Sequence, residues 1–259
     1  AAGKYQADTA QSSCDDAAAG YYSPGTVGAS TVDSSVTTAA TSQIPCAAGT
    51  YQADTGQSSC DDAAAGYYSN GTTIVNGVLT NTATDQTACA AGTYQADTGQ
   101  PSCDDADAGY SVSTTAATSQ TPCAAGTYRM QTGQTTCKDA LAGWYSPGTV
   151  GGANVDSSVT GVALYDIPCA AGTYQASTGQ SSCTDADAGY YSEGTTIVNG
   201  VLTNTATSPI TCGVGTYQAS TGQSSCDDAA AGYYVGSTGQ ISQLPCAAGT
   251  YQDQGAQGS

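Results

Sequence analysis

Histidine and phenylalanine are absent from this 259-residue chain, and cations nearly so: Lys4, Lys138 and Arg129 face 21 acidic residues. Without His, the usual general acid–base pairs, the Ser/His/Asp and Cys/His arrangements and the common zinc sites lose their main participant. Neither a P-loop nor a dinucleotide-binding fingerprint occurs. The expectation is a protein that is not an enzyme and carries no cofactor. At a formal net charge of −18, three cations cannot make the basic surface that nucleic acid or an anionic membrane requires. No run of about 18 apolar residues is present, so no membrane-spanning helix is expected.

Large apolar side chains are scarce too. Val, Ile and Leu number 25 in the chain, and Phe 0. That is too little apolar surface to offset chain entropy, and with this charge it would ordinarily leave a chain disordered. What stands in place of a core is 12 cysteines. Disulfides hold small secreted modules together where burial cannot. A start of "AAGKYQ" is compatible with a secreted chain cut after a small-residue site.

The cysteines fall at 14, 46, 60, 89, 103, 123, 137, 169, 183, 212, 226 and 246. Their spacings of 32, 14, 29, 14, 20 and 14 restart after 123 residues, so Cys14 maps onto Cys137 and Cys123 onto Cys246. The text repeats with them: "NGTTIVNGVLTNTAT" from Asn70 returns as "EGTTIVNGVLTNTAT" from Glu193. Residues 1–122 form one super-repeat and 123–245 a second, with 246–259 a C-terminal half-repeat. Each super-repeat holds three units built on a constant piece, C-x-x-G-T-Y-x8-C, followed by a variable piece that opens A-x-x-G-x-Y. The two pieces read as versions of one half-repeat, with Ala17, Ala63, Ala106, Ala140, Ala186 and Ala229 where Cys would stand. Ala229 and Gln243 keep the fourteen-residue separation of the cysteine pairs, as do Ala106 and Gln120, which suggests that both members of alternate pairs were lost together.

Through Cys46, Gly49, Tyr51, Cys60 and their counterparts, nearly the whole chain resembles the ephrin-receptor-like cysteine-rich repeats, relatives of the tumour-necrosis-factor-receptor and EGF-like modules. It departs from them at the six alanines named above. The resemblance implies an extracellular, disulfide-stapled module and leaves the function open, because receptors, adhesins and matrix proteins all use such modules.

Two connectivities fit the spacing. In one the constant pieces close, as Cys46–Cys60, Cys89–Cys103, Cys123–Cys137, Cys169–Cys183 and Cys212–Cys226, leaving Cys14 and Cys246 over. In the other the variable pieces close and all cysteines are used, starting with Cys14–Cys46 and ending with Cys226–Cys246. A constant spacing suits a fixed disulfide geometry better than three different ones, and the resemblance implies the same choice. Under it, Cys246 has no second cysteine and Cys14 no first, so Cys246 of one subunit can bond Cys14 of the next. A head-to-tail contact of this kind closes into rings or runs on as filaments. Alternatives are pairing of Cys14 with Cys246 inside one ring-shaped subunit, and a chain that is one segment of a longer array. Internal copies read T-G-Q where the first has Ala10 and the last Ala256. If that glycine sits at positive φ, Ala there costs about 1 kcal/mol, so the end copies are expected to turn differently.

No helical periodicity appears. "TTIVNGVLT" flanks Asn-Gly, the strongest short hairpin signal, and G-T-Y and G-Y-Y are short strand candidates. The fold class expected is all-β: small disulfide-stapled tandem hairpins stacked into a rod or solenoid with little conventional core. The 18 tyrosines suit a thin structure in which each ring covers backbone or disulfide and its hydroxyl stays wet. The Asp-rich "CDDADAG" and "CTDADAG" lack the ligand pattern of an EF-hand, so only weak, non-specific Ca²⁺ binding is expected. Asn70-Gly71-Thr72 is an N-glycosylation acceptor, and the Ser/Thr-rich inserts suit O-linked sugar. These readings converge on a secreted structural protein, subunit of a filament, sheath or surface appendage, whose partner is itself. The alternative is an adhesin stalk or glycan-binding ectodomain. Ice binding is a remote third, since no short T-x-T repeat is present.

Overall fold

In a computed structural model the chain is described at residues 1–24, 40–149 and 163–258. Parts of the Ser/Thr-rich inserts, at 25–39 and 150–162, lie outside the described residues. The elements are all β, most of them strands of two residues, each paired antiparallel with one partner. Their brevity follows from the sequence. Gly49 at φ 89 ends the turn before Thr50–Tyr51, and the polar run after Gln52 ends the strand on the other side. Thr50 pairs with Asp62 and Tyr51 with Asp61, bringing the start and finish of the fourteen-residue loop side by side. The same register joins Thr93 to Asp105, Thr173 to Asp185 and Thr216 to Asp228. The variable pieces form the equivalent hairpin, as Tyr21 opposite Pro45 and Tyr233 opposite Pro245. Thr73–Val75 and Val78–Asn81 make an additional hairpin over Asn76-Gly77, both residues left-handed at φ 51 and 79, and Thr196–Val198 with Val201–Asn204 repeats it.

Thirteen half-repeats follow one another, and the chain divides into two compact units. The first comprises residues Ala1–Asp107, Ser111–Thr121 and Thr132–Thr136, the second Ala108–Tyr110, Pro122–Gln131 and Cys137–Ser259. Inside each unit, successive half-repeats are joined by the same backbone bonds. In the first, Gly49 N–H donates to the Ser69 carbonyl and Ala63 N–H returns to the Gly49 carbonyl, at 2.7 and 2.8 Å. In the second, Gly172 N–H donates to Ser192 and Ala186 N–H to Gly172, at 2.7 and 2.9 Å. The motif glycine has a second reason to be glycine. A Cβ on Gly49 would overlap the carbonyl oxygen of Gly99, and one on Gly172 that of Gly222, each belonging to the half-repeat two further along. Glycine is therefore required both for its φ and for the closeness of the next layer.

The interior is made of small side chains. Cys46, Cys89, Cys123, Cys169 and Cys212 are fully shielded, and so are Ala17, Ala63, Ala106, Ala140 and Ala186. Among the described residues Val235 is the largest side chain shielded to below 2% exposure. Backbone hydrogen bonds and disulfides hold this stack, with little help from apolar burial.

One expectation is corrected. Ala10 and Ala256 were expected to abandon the turn made by T-G-Q, yet they lie at φ 62 and 59, the region that Gly56 and Gly99 occupy at 71. The layer contacts explain this for Ala256, whose N–H donates to the Ala229 carbonyl at 3.0 Å as Gly56 N–H does to Ala17 at 2.7 Å. The ladder fixes the turn, and the alanine accepts the strain. Ala116, at φ 54, is strained in the same way, and its counterpart 123 residues on is Gly239 at φ 69. Ala116→Gly is therefore expected to stabilise the protein by about 1 kcal/mol, seen as a rise in the midpoint of thermal or denaturant unfolding.

Candidate functional site

Five disulfides close the constant pieces: Cys46–Cys60, Cys89–Cys103, Cys123–Cys137, Cys169–Cys183 and Cys212–Cys226, with Cα atoms 5.7 to 5.8 Å apart. Cys14 and Cys246 are free thiols, the first exposed and the second half-buried. The variable pieces are closed differently. Their alanine fills the place of the first cysteine, and three residues before the next unit a glutamine fills that of the second in four of the six pieces, with Asp166 and Pro209 at that position in the other two. The Gln43 side-chain carbonyl accepts from Ala18 N–H at 2.7 Å, Gln86 from Ala64 at 2.6 Å, Gln120 from Asp107 at 2.6 Å and Gln243 from Ala230 at 2.7 Å. Asp166 serves Leu141 in the same way at 3.3 Å. The Ala–Gln spacing was visible in the sequence, but its use as a hydrogen-bonded clasp was not. Gln120→Ala removes one such clasp, including the bond from its amide nitrogen to Asp107 Oδ2 at 2.7 Å. The expected loss is about 0.5–1.5 kcal/mol, measurable by chemical denaturation.

Cys246 lies in a groove of about 390 Å³ lined by Tyr234, Pro245, Ala247, Thr250 and Tyr251. Its half-repeat begins like the others but forms no hairpin among the described residues. Tyr251 is consequently 87% exposed, whereas Tyr51, Tyr94, Tyr128, Tyr174 and Tyr217 are half-buried. The motif glycine is buried from Gly3 through Gly215, but Gly232 and Gly249 are exposed and a Cβ on either would meet nothing within 4 Å. Cys14 immediately precedes the second strand of the first hairpin, in which Lys4 pairs with Asp16 and Tyr5 with Asp15. Lys4 stands where the internal constant pieces have Thr, and its ammonium bridges to Asp16. The hydrogen bond and charge of Asp16 hold the Lys4 pKa above its ordinary value.

The Asp pairs have a packing role. In three of the Asp pairs the second Asp lies over the turn glycine of the constant piece that follows: Asp16 Oδ1 is 3.1 Å from a Cβ placed on Gly56, Asp62 Oδ1 3.3 Å from one on Gly99 and Asp105 Oδ1 3.4 Å from one on Gly133. Among the described residues no three His, Cys, Asp or Glu side chains gather as a metal site. Asn70 is exposed, while the Thr72 hydroxyl of the same sequon is engaged, donating to the Gly20 carbonyl at 2.7 Å and accepting from Ala83 N–H at 3.0 Å. Ile74, Val75, Val78 and Leu79 stand at least half-exposed on their hairpin, and Ile197, Val198, Val201 and Leu202 repeat the display. No helix among the described residues is long and apolar enough to cross a membrane.

Two tyrosines ionise less readily than free tyrosine. Burial first, then the charges of Asp107 and Asp104, raise the Tyr94 pKa; burial and then Asp166 raise that of Tyr128, against a smaller opposing effect of Arg129. A raised folded pKa means that the unfolded chain ionises first. Stability is therefore whole below the ordinary value of 10.0 and falls as pH climbs from there through the folded values. Denaturant midpoints should decline above about pH 10, and less so in a Tyr94→Leu/Tyr128→Leu variant.

No model of a known protein family matches the chain, and no curated protein matches it.

Proposed function

We propose that this protein is an extracellular structural subunit that polymerises head-to-tail. The observation that carries the proposal is the pair of free cysteines. Cys14 and Cys246 occupy opposite members of a closure that the chain makes five times internally. Each has the neighbours of a disulfide cysteine without the disulfide. The repeated ladder supports this reading, because inside each unit its bonds run from one half-repeat to the next and can be continued by another copy. Disulfides on this scale belong to oxidising surroundings outside the cytosol, and the resemblance to ephrin-receptor-like repeats points the same way. A net charge of −18 would keep neighbouring polymers apart.

Electron microscopy of native material tests the proposal. Thin fibres of uniform width are expected. Dispersed particles of single-chain mass at micromolar concentration would contradict it and favour a monomeric stalk.

A further inference from the structure

We infer that the constant piece Cys123–Cys137 carries a binding site for a single carboxylate group, on a small molecule or a sugar, held between Arg129 and Lys138. The inference is independent of the assembly reading above.

The sibling pieces define what this one gives up. In five copies of the constant piece a glutamine pins its own loop from within. The side-chain carbonyl of Gln52 accepts from Asp54 N–H at 3.0 Å, and its amide donates to the Ser59 carbonyl at 3.1 Å. Gln6, Gln95, Gln175 and Gln218 make the same two bonds. Arg129 stands at this position in the Cys123–Cys137 piece. A guanidinium has no acceptor, so it cannot take the backbone N–H two residues on. A device kept in five copies is broken in this one, and local rules are broken at sites with another task.

The neighbouring changes run in one direction. Gln131 stands where the siblings have Asp8, Asp54, Asp97, Ser177 and Ser220, and Lys138 where they have Asp15, Asp61, Asp104, Thr184 and Asp227. At these three positions the siblings present up to two carboxylates and no cation. This piece presents two cations and no carboxylate. In a chain of net charge −18 with 3 cations, two of them meet here.

Tyr128 and Lys138 are paired across the hairpin. With Arg129, Met130 and Gln131 they line a cavity of about 110 Å³, room for one small polar group. Lys138 makes no hydrogen bond or ion pair among the described residues. Two carboxylates near the cavity are engaged elsewhere. Asp166, whose charge reaches the Tyr128 phenol as that of Arg129 does, accepts from Leu141 N–H at 3.3 Å. Asp139 lies against Gly179. A planar guanidinium fork suits the two oxygens of a carboxylate, and the Lys138 ammonium adds a point charge beside it. The Gln131 amide and the Tyr128 hydroxyl supply neutral donors. Repulsion from the rest of the molecule disfavours polyanions, which leaves a ligand with one negative group.

Titration of the full chain with acetate and with glucuronate, followed by backbone amide shifts, tests the site, with the methyl ester of glucuronate as neutral control. Saturable shifts at residues 128–131 and 138 are expected, with one equivalent bound and an affinity that falls with added salt. The ester should give none. Equal affinity for the two anions supports a site that reads the carboxylate alone, and tighter glucuronate binding supports one that also takes the sugar ring. Arg129→Gln/Gln131→Asp/Lys138→Asp restores the residues found at Gln52, Asp54 and Asp61, so it should fold with its five disulfides and lose about tenfold in affinity or more. Lys138→Gln, at an exposed position, should weaken binding in the same sense. No saturable shift at these residues, binding unchanged in both variants, or equal shifts from the ester would overturn the site. Sulfate bound more tightly than acetate would overturn the carboxylate assignment.

Discussion

Reduction of the five disulfides in the absence of denaturant should unfold the described hairpins. The interior holds cysteine, alanine and serine where another protein of this size would hold leucine and phenylalanine, and among the described residues Val235 is its largest fully shielded side chain. Each staple closes a loop between residues fourteen apart. In the chain-entropy description each is worth about 3 kcal/mol, so five together match or exceed the roughly 5–15 kcal/mol by which a typical protein is stable. The glutamine clasps contribute too little to compensate. Amide exchange with and without a thiol reductant provides the measurement. Protection at Gly49, Gly92, Gly172 and Gly215 should vanish on reduction. If it persists, the ladder stands without its staples and the description of the core is wrong.

A second large effect is expected at the motif glycines. Gly49→Ala or Gly172→Ala places a methyl group on a carbonyl oxygen of a further half-repeat, at φ 89 and 88. The unfavourable φ costs about 1 kcal/mol and the overlap with rigid backbone about 1–3 kcal/mol more. The combined loss of about 2–4 kcal/mol should be plain in denaturant unfolding. Gly249→Ala, at φ 87 with nothing within 4 Å, should cost the single chain only the first part. Equal losses at Gly49 and Gly249 would mean that φ alone demands glycine, and the stacking contact would lose its standing.

Much of this was legible in the residues. The 123-residue period, the all-β hairpins and the Asn76-Gly77 turn follow from cysteine spacing and local turn chemistry, which act over short distances along the chain. The clasp at Gln43, Gln86, Gln120 and Gln243 was not legible, because a glutamine reaching a backbone N–H leaves no pattern beyond its spacing. The left-handed Ala10, Ala116 and Ala256 were also missed. Local preference argues against them, and the ladder between layers overrides that preference at Ala116 and Ala256. The Asp-rich runs were read as offering no more than weak, non-specific Ca²⁺ binding, and only the stacking shows that Asp16 and Asp62 lie against Gly56 and Gly99.

The most direct test of head-to-tail assembly is electrophoresis of native material in denaturant, with free thiols blocked beforehand, with and without reductant. A ladder of multiples of the 25.4 kDa chain should appear without reductant and collapse to a single band with it. Cys14→Ser and Cys246→Ser should each abolish the ladder while leaving the five internal disulfides in place. A single band under both conditions would contradict the covalent joint between Cys246 and Cys14.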